Sequence, residues 1–295
     1  MKYTNKFNVP QSLVDVVEKK TYDLTQSDPM RIGVTTLNAP PRQRMLKVRH
    51  WKDLIEDVAD HIWRITGSAY HYILASTKGK DRLIEKKLEQ EVDGMLIVGR
   101  LDLFEEKDNS IEDWKVTSVW SVTLGDKKDW EEQINVYAWM LRKEGYNVEK
   151  GFINAILRDW NKGNSKKYND YPPIPFKRIE VKIWSFEEQE KFIKERVRIH
   201  KEALELSDED LPICTEVERW KKPSKWAVYK GKNKTATRLF DGEAEAKKFI
   251  ETAKIEKARI ECRKGVDSRC VDFCSVNKKC SYYMANYEKE KNSNN

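Results

Sequence analysis

Between Gly99 and Ser118 the chain reads GRLDLFEEKDNSIEDWKVTS, which sets two aspartates and a lysine where their chemistry can combine. Two strand-like runs, Val98–Phe104 and Ile111–Thr117, flank the polar turn Glu105–Ser110 and predict a hairpin. The first run carries Asp102, the second Asp113-Trp114-Lys115. Residues two apart on a strand share a face, so Asp113 and Lys115 point one way and Trp114 the other. Pairing the strands brings Asp102 towards Asp113. Such oxygen ligands suit a hard divalent cation, and Mg²⁺ keeps waters and shares its shell with phosphate oxygens. Taken alone, the pattern arises in any charged hairpin, and 36% of this chain is charged. Its weight therefore depends on the surrounding elements.

Those elements are legible in part. A polar N-terminal tail leads to the Asp28-Pro29 turn, a short strand or helix entry at Ile32–Leu37, and a stop at Pro40-Pro41. From Trp51 to Leu74 the apolar residues Leu54, Ile55, Val58, Ile62, Ile65 and Ala69 keep helical spacing. Within it stands Gly67-Ser68-Ala69-Tyr70-His71, whose small residues allow close backbone approach and turn His71 inward. For a lone histidine, a half-buried helix position with an ordinary hydrogen bond is the commoner case. Arg82–Leu88, with Glu85, precedes the alternating run Glu91–Val98, where Asp93-Gly94 signals a hairpin turn. Trp130–Lys143 reads as a helix with a buried stripe and with Gln133 and Tyr137 on one face; Tyr137 also fits the stripe. Gly145 ends it. Strands follow at Phe152–Leu157 and Arg178–Trp184, then a helix from Phe186 to about Leu206 opened by the capping box Ser185/Glu188. A boundary falls near Ser207–Pro212.

The last segment is different. Trp226–Tyr229 and Thr235–Phe240 read as strands across Lys230-Gly231-Lys232-Asn233, and Asp241 as the cap of a helix to about Lys254. Lys230, Lys232 and Lys234 stand near Trp220, Trp226 and Tyr229, a mixture that suits a nucleic-acid backbone and stacked bases, or equally a solvated hairpin. The net charge of +7 (pI near 8.9) favours an anionic partner. All five cysteines lie in the last third, as Cys214, Cys262 and the tight run Cys270-x3-Cys274-x5-Cys280. In a reducing compartment such a cluster reads as a metal site, for zinc or for iron–sulfur. Mean hydropathy is −0.79 and no apolar run reaches membrane length, so the expectation is a cytoplasmic chain with no membrane partner.

Five marks stand in order: Gly67…His71, Glu85, Asp102, Asp113-x-Lys115 and Gln133-x-x-x-Tyr137. This series, over residues 30 to 160, resembles the PD-(D/E)XK nuclease superfamily in its RecB-like and phage exonuclease branch. The resemblance implies an α/β fold: a restriction-endonuclease-like core with a central mixed sheet flanked by helices, at 1–206. A small basic, Cys-rich α+β extension at 207–288 and a disordered tail at 289–295 complete the expected organisation. It implies Mg²⁺ or Mn²⁺ held by Asp102, Asp113, His71 and the Trp114 main-chain carbonyl, Lys115 acting on the attacking water, and Glu85 in or beside the shell. Gln133 and Tyr137 would hold DNA or order the active-site strand. Asp113 departs from the Glu common among relatives, and either is a hard oxygen ligand. Some RecB-like nucleases staple themselves with four cysteines around a 4Fe–4S cluster, the first lying upstream of the core. Here residues 1–213 contain none, so Cys214 joins Cys270, Cys274 and Cys280, with Cys262 spare and Zn²⁺ the alternative. The implied function is metal-dependent cleavage of DNA, as an exonuclease, in phage or bacterial replication, recombination or repair. A recombination or replication protein is the implied partner, in a bacterial or phage-infected cell. The competing readings are a non-catalytic DNA-binding module on the same scaffold and a zinc-bearing interaction protein.

Overall fold

The computed structural model describes residues 1–19, 27–77, 79–123 and 127–288. The tail expected to be disordered, 289–295, lies outside them. The chain divides into two compact units, Met1–Leu211 and Pro212–Asn295. Leu211 is buried in the first, where the Arg42 guanidinium donates to its carbonyl.

The first unit opens with β1 (Lys2–Thr4) and α1 (Gln11–Lys19), then β2 (Arg31–Gly33), α2 (Val34–Asn38) and α3 (Pro41–Arg49), which starts on Pro41 after the Pro40 cap position. The helix expected from Trp51 starts eleven residues later. Asp57 is the reason: its carboxylate accepts from Thr4 Oγ (2.7 Å), Lys6 N (2.9 Å) and Ala59 N (3.0 Å). These bonds draw β3 (Ile55–Asp57) into parallel pairing with β1 and cap a short 3-10 turn, so that only α4 (Ile62–Ala75) is α-helical. Local spacing was overridden by a long-range polar anchor.

β4 (Arg82–Val92) and β5 (Met95–Glu105) form a long hairpin across Asp93-Gly94. Both turn residues have positive φ (48° and 80°), as a two-residue type I′ turn requires. β6 (Ser110–Thr117), α5 (Val119–Thr123), α6 (Lys128–Lys143), β7 (Lys150–Leu157), α7 (Lys162–Lys167), β8 (Phe176–Val181) and α8 (Phe186–Glu205) follow. The central sheet is mixed, in the order β2-β5-β6-β7-β8 with β4 on the other edge of β5. β2 and β6 share one edge of β5, β2 at Leu96–Val98 and β6 at Leu103–Glu105. Neither ladder includes Gly99–Asp102, which leaves a gap in that edge.

Helix α6 covers one face of the sheet: every residue from Ile134 to Leu141 is buried. Its Tyr137 ring lies against Gly99, where an added Cβ would fall 2.5 Å from Cε1, so glycine is required by the close approach. Ser185 and Glu188 form the capping box of α8, whose Ile193 and Val197 complete this core. No described helix is long and apolar enough to cross a membrane.

The second unit holds β9 (Lys221–Lys222), β10 (Lys225–Lys230), β11 (Arg238–Phe240), α9 (Glu243–Thr252), β12 (Ala258–Arg263), β13 (Val266–Asp267) and the single turn α10 (Ser281–Tyr283). β10 is the centre of a three-stranded antiparallel sheet between β11 and β12. The expected second strand is shorter, and β12 was not anticipated, although ARIECR alternates apolar with charged residues as a half-buried strand does. Asp241 does not cap α9. It pairs with Lys225, and Gly242 occupies the cap position without a side-chain bond.

Candidate active site

The gap in the β5 edge is where the sequence-marked residues gather. Asp102 stands opposite Glu85 on β4, between the pairs Ile84↔Leu103 and Lys86↔Leu101. Glu85 has a left-handed backbone (φ 51°), rare for a residue with a Cβ. The distortion resets the alternation of both strands, so that Ile84, Glu85, Asp102 and Leu103 all line one cleft of about 490 Å³. Strained backbone of this kind collects at functional sites. On its other side Asp102 Oδ2 accepts from Trp114 N (2.8 Å), bridging β5 to β6 where their ladder has ended.

His71 reaches the cleft from α4. Its Nδ1 lies 3.4 Å from Asp102 Oδ1 and 3.5 Å from Glu85 Oε1. Among the described residues, His71, Glu85 and Asp102 are the one set of His, Cys, Asp and Glu ligand atoms all within 4.8 Å of one another. Burial, and next the Asp113 charge, push the Asp102 carboxyl up to about 7. Arg100 Nη1 stands 3.6 Å from Glu85. The expectation that Gly67 lets α4 press on a neighbouring backbone fails: an added Cβ there meets nothing within 4 Å, and no α4 residue is buried.

Asp113 and Lys115 share the opposite face of β6, towards α6. Lys115 Nζ lies 3.0 Å and 2.8 Å from the two Asp113 oxygens. Gln133 of α6 closes a triangle, donating to Asp113 Oδ1 (3.0 Å) and accepting from Lys115 (3.2 Å). Asp113 is buried, and Lys115 is its cation. The simple convergence of both aspartates on one point is therefore not what the side chains adopt. Asp102 sits with His71 and Glu85, Asp113 sits with Lys115 and Gln133, and the strand gap joins the two groups. Tyr137 is buried; burial first, then the Asp113 and Asp102 charges, raise its pKa, and a hydrogen bond with the Arg100 backbone opposes that rise. Its ring packs against Gly99 of β5.

The cleft's rim includes Glu112, which accepts from Asn154 (2.6 Å) and pairs with Arg178. Neither of the arginines lining the cleft, Arg82 and Arg178, was singled out from the sequence; Arg178 sits in a plain alternating strand, and only three-dimensional register brings it to the rim.

No protein-family model and no curated protein matches the chain. Solved structures to which the chain is similar include the following two. SSO0001 is 17% identical, with 64% of this chain and 83% of that one covered and a TM-score of 0.43. A phage-related exonuclease from Haemophilus somnus 129PT is 14% identical, with 55% and 70% covered and a TM-score of 0.29.

In the second unit, Cys214, Cys270, Cys274 and Cys280 lie within electrostatic reach of one another. Burial first, then Glu218 and the other three thiols, push Cys214 up to about 12; burial and the neighbouring thiols push Cys270 up to about 11. Cys262 is exposed on β12, opposite Trp226. None of the five is in a disulfide. Lys230, Lys232 and Lys234 are exposed at the β10 end and the turn after it.

Proposed function

We propose that this chain is a divalent-metal-dependent DNA nuclease of the PD-(D/E)XK superfamily, in its RecB-like branch, acting as an exonuclease in phage or bacterial replication, recombination or repair. The carrying observation is the cluster of His71, Glu85 and Asp102, with Lys115 held across the strand gap by Asp113 and Gln133. The donor set fits Mg²⁺ or Mn²⁺: two carboxylates and an imidazole, half-buried, with a third carboxylate next to them. His71, Glu85 and Asp102 would hold the ion, with Asp113 and the Trp114 carbonyl completing the shell. A bound ion would supply Lewis acidity to the scissile phosphate and a more acidic water. The chain's own groups do the rest. Lys115 offers an ammonium to the phosphoryl oxygens as negative charge grows on them, and orients the attacking water. Gln133 fixes Lys115 against Asp113, and Tyr137 holds β5. Lys230, Lys232 and Lys234 offer the DNA backbone a salt-dependent contact, and a recombination or replication protein is the fitting partner.

The test is digestion of end-labelled single- and double-stranded DNA by wild-type and Asp102→Asn protein with Mg²⁺, Mn²⁺ or EDTA. Metal-dependent cleavage by the wild type alone is expected. DNA binding without cleavage in any metal would replace the reading by the non-catalytic binding module. Cleavage that survives Asp102→Asn would remove the site assignment.

For the thiols the same reading adds a 4Fe–4S cluster on Cys214, Cys270, Cys274 and Cys280, with Zn²⁺ the alternative. All four lie in the second unit, so the centre would close that unit on itself. Anaerobically purified protein should be brown, absorb near ~400 nm and contain iron and sulfide. Colourless protein with one equivalent of zinc would keep the staple and overturn the cluster; metal-free protein with titrating thiols would remove both.

A further inference from the structure

Helix α4 is unusual for what it leaves uncovered. Its fourteen residues, IWRITGSAYHYILA, include none that is buried. Trp63 is 51% exposed, Tyr70 38% and Tyr72 82%, and Trp120 of α5 is 67% exposed. Neither helix carries a single Asp or Glu, although acids make up 49 of the 295 residues. The nearby cations are Arg64 and Arg158, the latter stacked on the Trp63 ring at 4.5 Å. An amphipathic helix that packs on a protein shows aliphatic residues inward and mixed charges outward. This one presents aromatics and arginine to solvent.

The placement follows from helical geometry. At about 100° per residue, Tyr70 and Tyr72 lie on either flank of His71. Trp63, seven residues before Tyr70, falls on the same ridge about 10 Å along the axis, roughly three stacked-base spacings of 3.4 Å. His71 itself touches Asp102 and Glu85. Any chain whose phosphate reaches that cluster therefore passes the α4 aromatics. The backbone N–H of Arg158 bonds to Thr117 (2.9 Å) at the end of β6, which fixes Arg158, and with it the Trp63 stack, to the strand that carries Asp113 and Lys115.

We infer that α4 is a stacking platform for unpaired bases, so that the substrate is single-stranded nucleic acid or a frayed end. Trp63 and Tyr70 take bases on one side of the scissile phosphate, Tyr72 takes a base on the other, and Arg158 takes a phosphate. Aromatic faces accept any base, whereas a duplex keeps its bases stacked on each other and offers the platform nothing. The absence of carboxylates from α4 and α5 lessens polyanion repulsion there, and the exposed Asp159 beside Arg158 is engaged by the backbone N–H of Val119 (2.7 Å). The inference rests on the nuclease reading of the site.

The test uses the full chain with Ca²⁺ in place of Mg²⁺, so that binding is read without turnover. Oligo-dT should bind at least ten-fold more tightly than an abasic strand of equal length, and should quench tryptophan fluorescence. Trp63→Ala/Tyr72→Ala should remove that difference while leaving abasic-strand binding unchanged, and Trp63→Phe should restore part of it. In Mg²⁺ the double variant should hydrolyse the base-free diester methyl p-nitrophenyl phosphate as fast as wild type. Equal binding of oligo-dT and abasic strand by the wild type, or full oligo-dT affinity in the double variant, overturns the platform. Intact base-dependent binding by a wild type that cleaves neither the diester nor DNA supports the platform and overturns the nuclease reading instead.

Discussion

The two faces of the central sheet in the first unit are built by opposite rules. On one, α6 buries eight consecutive residues and α8 adds Ile193, Val197 and His200. On the other, α4 buries none, and an open cleft lies between it and the strands. The covered face fixes Asp113, Lys115 and Gln133 in one hydrogen-bonded triangle. The open face holds His71, Glu85 and Asp102, and a ligand can enter. A site placed across the gap of β5 draws rigidity from one side and access from the other, which is the division expected where binding residues sit on a scaffold that supplies the stability.

If that division is right, substitutions on the covered face cost stability first. Ile134 is fully buried against Gly151 and the core. Ile134→Ala should lower unfolding free energy by about 3 kcal/mol, from lost transfer energy and a residual cavity. Denaturant unfolding checks it. A cost below about 1 kcal/mol would mean that α6 is not the anchor.

Lys115 reaches from the covered face into the chemistry. Lys115→Ala should slow single-turnover DNA cleavage by about 100-fold or more, as for loss of one preorganised electrostatic group. A change in stability smaller than that in rate separates the two roles. A silent variant would return Lys115 to an ordinary strand lysine paired with Asp113.

His200 tests the covered face through pH. It is fully buried, with Nε2 3.0 Å from the Leu37 carbonyl, so the neutral ring donates there. Burial first, then the Arg196 charge, with Arg44 a smaller contributor, lower its pKa to about 3. The unfolded chain protonates near 6.5 and the folded chain does not, so stability is intact above about 6.5 and is lost as pH falls towards 3. The loss between pH 7 and pH 5 should be about 2 kcal/mol. His200→Gln keeps a donor for Leu37 and should flatten that part of the profile. An unchanged profile would mean that the folded protein hydrates or protonates the ring.

The covered face was largely legible in the sequence because its signals are local and periodic. The stripe from Trp130 to Leu141, the Ser185/Glu188 capping box, Asp93-Gly94 and Gly145 each state their element within a few residues. The open face was legible only as residue types in order. His71, Glu85 and Asp102 could be named, but the left-handed Glu85 that turns them into one cluster leaves no trace in composition. Nor does the separation of Asp113 from Asp102 by Lys115 and Gln133, which depends on strand register ending at Leu103↔Glu112. The 51–61 stretch shows the converse. Its helical spacing was genuine, yet Asp57 anchors it to Thr4 and Lys6 some fifty residues away.

The smallest expected effect is the sharpest test of the open face. Ile73 is 61% exposed on α4 and points away from His71, two positions on. Isoleucine and serine have similar helix propensities, so Ile73→Ser changes little apart from surface apolarity. If nothing in the chain covers α4, unfolding free energy should shift by less than about 0.5 kcal/mol, and the melting temperature should barely move. A loss above about 1.5 kcal/mol would mean that this face is packed in solution, and the contrast between a structural and a working face would fail at its simplest point. A silent Ile73→Ser beside a costly Ile134→Ala would instead assign the stability of the sheet to α6 and α8, leaving α4 free to serve the cleft.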